Sequence, residues 1–121
     1  MTIQECYEKL GGDFAQAEQR LPSTSLVKRF ITKFLDDDSY SNLCAAMEQG
    51  QREEAFRAAH TLKGVCANLS FNKLLDSNSR LTEELRPETD EIPDTEKGMM
   101  AEVERDYEAT VEAIREFLAE E

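Results

Sequence analysis

The sequence predicts an all-α protein: an antiparallel four-helix bundle carrying one or two short additional helices at its N-terminus. Three observations point there. Strand signals are nearly absent. Only three prolines and five glycines occur in 121 residues, mostly between helical stretches. Apolar residues recur at the 3.6-residue spacing of an amphipathic helix in one segment after another.

The elements follow in chain order. "TIQECYEKLGG" predicts a short helix with Thr2 as cap and Gly11-Gly12 as its stop. Asp13 can cap a second, "DFAQAEQRL", which ends at Pro22. Ser23 or Thr24 opens the third, where Leu26, Val27, Phe30, Ile31, Phe34 and Leu35 keep helical spacing. "DDDS" breaks it. "YSNLCAAMEQG" aligns Tyr40, Leu43, Cys44 and Met47 and stops at Gly50. A helix from about Gln51 to Leu69 aligns Ala55, Ala59, Leu62, Cys66 and Leu69. Ser70 can cap the next, which aligns Leu74, Leu75, Leu81 and Leu85 and ends near Pro87. "RPETDEIPDTEKG" is polar, acidic and proline-bearing, and reads as a mobile loop. The last helix, from about Thr95 to Ala119, carries Met99/Met100, Val103, Tyr107, Val111, Ile114 and Leu118. The whole is read as one domain over 1–121. Residues 1–22 form the short helices and 23–120 the bundle.

Composition excludes several function classes. No apolar run approaches 18 residues, so no membrane span is expected. "MTIQECYEKLGG" lacks a basic region and a long apolar stretch, which argues against a secretory signal and leaves the cytoplasm as the expected location. Cys6, Cys44 and Cys66 are odd in number and widely spaced. They read as buried, reduced thiols rather than a disulfide framework or a zinc site. The net charge of −12 argues against a phosphate footprint, and so against nucleic acid. The charge is uneven. Residues 52–73 hold Arg52, Arg57, Lys63 and Lys73 against two acidic residues, or +2. The remaining 10 basic and 24 acidic residues carry −14.

The only histidine, His60, lies in that basic window, within "AHTLKGVCANLS" at 59–70. Residues i, i+3 and i+4 of a helix share a face, which groups His60 with Lys63 and Gly64. A helix turns about 100° per residue, so His60 sits beside the apolar stripe rather than in it. Phe56, His60, Lys63 and Ala67 then form a neighbouring strip at the edge of the core. Metal binding would need further ligands: a di-iron bundle would want Glu at 57, which is Arg57, and a zincin pair would want a second His at 56 or 64. General acid–base catalysis would need a pocket with convergent polar groups. Nucleophilic use needs least. A neutral imidazole nitrogen can attack an activated phosphoryl group. Lys63 offers a cation to its charge, and Gly64 leaves the face open. An ordinary solvated helix face, with Gly64 there for close packing against a neighbouring helix, accounts for these three residues as well.

His-Thr-Leu-Lys-Gly at 60–64, with "RAA" before it and "VCANL" after it, resembles the signature of the histidine-containing phosphotransfer (HPt) domain family. The resemblance is strong over about 52–75 and weaker over roughly 24–119, where helix count, order and lengths also agree. It implies a four-helix bundle with the phosphorylated histidine, His60, on its second helix. It implies that Lys63 stabilises the phosphoryl group and that Gly64 keeps the surface clear. Phe56, Arg57, Ala67 and Lys73 are expected around it as partner-binding residues. The implied function is a histidine phosphotransfer protein of a bacterial two-component phosphorelay. It would exchange a phosphoryl group reversibly with the aspartate of a receiver domain, in a response regulator or hybrid histidine kinase. No cofactor of its own is implied, and the receiver is expected to supply Mg²⁺. The chain reads as a stand-alone phosphocarrier without an ATP site, and as a monomer. Two departures from the family pattern stand out. Ser70 replaces a Gly that many members have ten residues after the histidine, and Val65 and Cys66 are bulkier than the small residues usual there. The alternatives are a non-catalytic adaptor that docks a receiver or kinase, and a small enzyme using His60 as general base.

Overall fold

A computed structural model describes residues 1–86, 92 and 94–121. Its described residues form seven helices and no strand: α1 (Ile3–Leu10), α2 (Phe14–Arg20), α3 (Thr24–Phe34), α4 (Ser39–Glu48), α5 (Arg52–Leu69), α6 (Asn72–Glu84) and α7 (Asp94–Ala119). The expected loop at 86–98 falls partly on residues 87–91 and 93, outside the described residues. Its last five positions belong to α7 instead.

Side-chain oxygens start the N-terminal helices. The Glu5 backbone N–H donates to Thr2 Oγ1 at 3.1 Å, and the Thr2 N–H donates to Glu5 Oε1 at 2.8 Å. This reciprocal pair satisfies two donors that a helix start otherwise leaves bare. Asp13 and Ser23 accept in the same way from Gln16 and Leu26. The run Leu35–Asp38 separates α3 from α4, where the triple aspartate predicts a break.

α4 packs along α5, α5 along α6 and α6 along α7. The connections at 49–51 and 70–71 are so short that each of the first two pairs runs antiparallel. The broken pair α3 and α4 supplies the remaining side. Phe34 of α3 and Tyr40 of α4 both meet Tyr107 of α7, with ring centroids 5.8 Å and 3.7 Å away. The fold is therefore the expected all-α bundle with two short helices added at the N-terminus.

These short helices close the end of the bundle where α5 turns into α6. The Tyr7 hydroxyl donates to the Leu69 carbonyl at 2.8 Å. The Asp13 N–H donates to the Ser70 carbonyl at 2.9 Å, and the Lys73 N–H to the Gly11 carbonyl at 3.1 Å. Gly11 ends α1 with φ +79°, a left-handed conformation that glycine adopts without strain. A Cβ on Gly12 would stand 2.7 Å from the Ser70 carbonyl oxygen, so the backbone crossing needs glycine there too. Phe71 fills the joint, fully buried against Phe34 (5.1 Å, edge-on) and Tyr7 (5.7 Å). Burying a ring of this size stabilises by about 2–3 kcal/mol.

The opposite end is held by charge. Arg52, at the start of α5, is only 8 % exposed. Its two terminal nitrogens meet the two carboxylate oxygens of Glu96 on α7 at 3.0 and 2.9 Å. Nη2 also donates to the Glu84 and Arg86 carbonyls at the end of α6. One side chain thus ties three helices. This corrects the charge reading of the sequence, because Arg52 does not add to the basic surface around His60.

Candidate functional site

The site is built on α5. Glu53 and Glu54 lie in its first turn, where negative charge suits the helix dipole. Ala55, Ala59, Leu62, Cys66 and Leu69 all lie within the core, in the register their spacing predicts. That register turns the neighbouring strip outward. His60 and Gly64 are exposed, and Phe56, Lys63 and Ala67 are half-buried.

Among the described residues, neither ring nitrogen of His60 makes a hydrogen bond. Its one ring contact is Phe56, one turn earlier, with centroids 6.0 Å apart and planes 22° from parallel. Gly64 is not a packing residue. A Cβ built there meets nothing within 4 Å, so no neighbouring helix needs the space. The glycine therefore keeps about 1 kcal/mol of helix penalty with no gain in packing, and the surface beside His60 stays bare.

The other expected partner residues divide. Phe56 and Ala67 share the strip with His60. Arg57 faces the α4 side, pairs with Glu53 at 2.6 Å and Glu54 at 3.6 Å, and lines a groove of about 350 Å³ with Asp38, Asn42 and Thr61. Lys73 lies past the end of α5, in the first turn of α6, with Nζ 4.0 Å from Asp106 of α7.

Tertiary contacts bring in three residues that no local pattern marks. Arg20 of α2 donates to the Ala67 carbonyl and to Ser70 Oγ. The guanidinium of Arg86 lies over the Phe56 ring, 5.7 Å from its centroid. Arg86 also meets both carboxylate oxygens of Glu83, at 3.0 and 3.2 Å. The Arg86 hydrogen bonds, then its charge, hold the Glu83 carboxyl below the usual range, and the charge of Lys63 acts in the same direction.

Ser70 ends α5 in a left-handed conformation, φ 57° and ψ 41°. It is the α5 C-cap and not the N-cap of α6; that place belongs to Phe71, which makes no side-chain cap. A position needing positive φ explains why glycine is common there in the family this segment resembles. Ser70 meets the same requirement with backbone strain and a hydrogen bond from Arg20.

An exposed imidazole, one helical turn from a lysine and beside a bare surface, is suited to covalent attack on phosphorus. His60 is absent from the α4/α5 groove, which is where an acid–base pocket would be sought. Among the described residues, no group of three His, Cys, Asp or Glu side chains could hold a metal ion, and no helix is long and apolar enough to cross a membrane.

A family model described as "Hpt domain" matches residues 25–118. Comparison with curated proteins gives no match, and comparison with solved structures gives none.

Proposed function

Since this chain belongs to the Hpt domain family, we propose that it is the histidine phosphotransfer protein of a bacterial two-component phosphorelay, with His60 as the phosphoacceptor. Family membership implies histidine phosphotransfer and interaction with receiver domains. The assignment to His60 is carried by one observation: its ring is exposed and, among the described residues, free of hydrogen bonds, one turn from Lys63 and from open space at Gly64.

In the proposed step, the lone pair of one ring nitrogen attacks the phosphorus of a receiver's aspartyl phosphate. The P–O bond to the carboxylate breaks, and its electron pair returns to the aspartate. The second ring nitrogen keeps its proton. The reverse step hands the phosphoryl group to another receiver. The Lys63 ammonium stabilises the phosphoryl oxygens, and the missing side chain at Gly64 lets the receiver approach. Phe56, Arg57, Ala67 and Lys73 surround the contact. Mg²⁺ comes with the receiver. We read residues 1–121 as one domain, monomeric and cytoplasmic.

The test is incubation with a ³²P-labelled phosphorylated receiver. Label expected on the chain is acid-labile, alkali-stable and absent from His60→Gln. Lys63→Ala is expected to slow transfer while changing stability by less than about 0.5 kcal/mol. Partner regulation that survives His60→Ala would instead mean a non-catalytic adaptor.

A further inference from the structure

Beyond Lys63, a second cation shares the Phe56 ring with His60 and is held by a carboxylate. Phe56 is its bridge. The His60 centroid lies 6.0 Å from the Phe56 centroid, and the Arg86 guanidinium lies 5.7 Å from it. Laid end to end these distances sum to 11.7 Å, so guanidinium and imidazole are no further apart than that. Arg86 has a long flexible stem, and its side chain is 60 % exposed. Rotamer changes about that stem can move the guanidinium across the Phe56 ring.

What holds Arg86 now is Glu83, three residues earlier on the same segment, through two hydrogen bonds of 3.0 and 3.2 Å. Both side chains are more than half exposed, and exposed ion pairs are weak. Arg57, on the α4 side of the helix, is engaged by Glu53 and Glu54 on its own helix. Lys63 lies within the electrostatic reach of Glu83. One carboxylate therefore acts on both Arg86 and Lys63.

We propose that Glu83 keeps Arg86 in reserve as a second cation for the phosphoryl group on His60, releasing it when that group arrives. A phosphoryl group brings about −1.5 to −2 charges and three acceptor oxygens. Glutamate brings one charge and two oxygens. At equal distance the attraction follows the product of charges, so the phosphoryl group outcompetes Glu83 for the guanidinium. The planar fork of arginine can grip two phosphoryl oxygens at once, which the Lys63 ammonium cannot. Glu83 then sets how much positive charge the phosphoryl group meets. The inference rests on the reading of His60 as phosphoacceptor.

The experiment reads the phosphoryl group directly. The intact protein is loaded with phosphoramidate: the donor P–N bond breaks, ammonia leaves and the phosphorus bonds to the ring nitrogen. The ³¹P shift of the phosphohistidine is then followed with pH through its second ionisation. A nearby cation favours the dianion and so lowers that pKa. Arg86→Gln is expected to raise it by about 0.3 pH unit or more, Arg86→Lys by less, and Glu83→Gln to lower it. Glu83→Gln combined with Arg86→Gln is expected to titrate above Glu83→Gln alone, because the freed guanidinium is missing. A purely structural role for the pair moves none of these curves. If the wild type loads and all four variants titrate with it, the inference is overturned and the phosphoacceptor assignment stands. If the wild type takes no phosphoryl group, that assignment falls and the inference falls with it.

Discussion

Arg20 of α2 and Ser70, the residue that ends α5, are joined by an N–H···O hydrogen bond of 2.7 Å. The bond accompanies a backbone conformation, φ 57°, that costs an L-residue about 1–2 kcal/mol. Two opposing effects thus meet at one buried serine. Ser70→Gly is expected to remove the strain and lose the bond, leaving stability within about 1 kcal/mol of wild type. Ser70→Val keeps the strain, loses the bond and adds bulk at a site with no exposure. A loss of about 2 kcal/mol or more is expected. Urea unfolding of the two variants checks both outcomes.

Gly64 separates stability from transfer. Gly64→Ala is expected to stabilise the protein by about 1 kcal/mol, because its Cβ enters open space and the helix gains a better former. Gly64→Gln should keep the stability of the wild type or exceed it. It should nevertheless slow transfer from a phosphorylated receiver about tenfold, equivalent to about 1.4 kcal/mol of barrier. A Gln variant that transfers at the wild-type rate would remove the role given to the bare surface.

The Arg52–Glu96 pair is buried and bidentate, so breaking one half strands the other. Arg52→Ala or Glu96→Ala is expected to cost about 3–5 kcal/mol. Arg52→Met with Glu96→Leu, which strands no charge, should recover most of that. Denaturant midpoints of the three variants compare directly.

The thiols carry a pH dependence. Burial pushes Cys6 up to about 11 and Cys66 up to about 12. In the unfolded chain both would ionise near 8.5. Above that pH the unfolded state holds fewer protons than the folded one, so stability falls as pH rises. The denaturation midpoint is therefore expected to drop steadily between pH 9 and 11, and Cys6→Ala with Cys66→Ala to lessen the drop, the rest coming from Cys44 and the tyrosines, whose burial acts in the same direction. In native protein at pH 8, iodoacetamide should label half-buried Cys44 before either buried thiol.

Much of this was legible in the sequence, and the exceptions share a cause. The α5 stripe matched at every position, because apolar spacing and burial coincide there. In α7 the expected stripe was off-centre. Asp106, Thr110, Ala113 and Phe117 are buried, whereas Met99, Met100, Tyr107 and Leu118 are only half-buried. Thr110 satisfies its hydroxyl on the Asp106 carbonyl at 2.8 Å, so polar residues occupy core positions that hydropathy alone assigns to solvent. Arg52 escaped for the same reason, its charge being matched by a residue 44 positions away. His60, Lys63 and Gly64 stood out because they are local. Arg86, Glu83 and Arg20 did not, since only the packing of α2 and α6 brings them to α5. Ser70 was mistaken for a cap of the following helix because its residue type suits that task, while its positive φ leaves no trace in composition.

The strip from Phe56 to Ala67 is a single file of side chains with one imidazole in it. On the proposed function, donor and recipient must cover the same few residues, so they visit in turn and never together. Throughput is then limited by how quickly each visitor departs. Such a surface favours brief, modest attachment over tight grip, and an excess of either visitor slows the traffic it feeds.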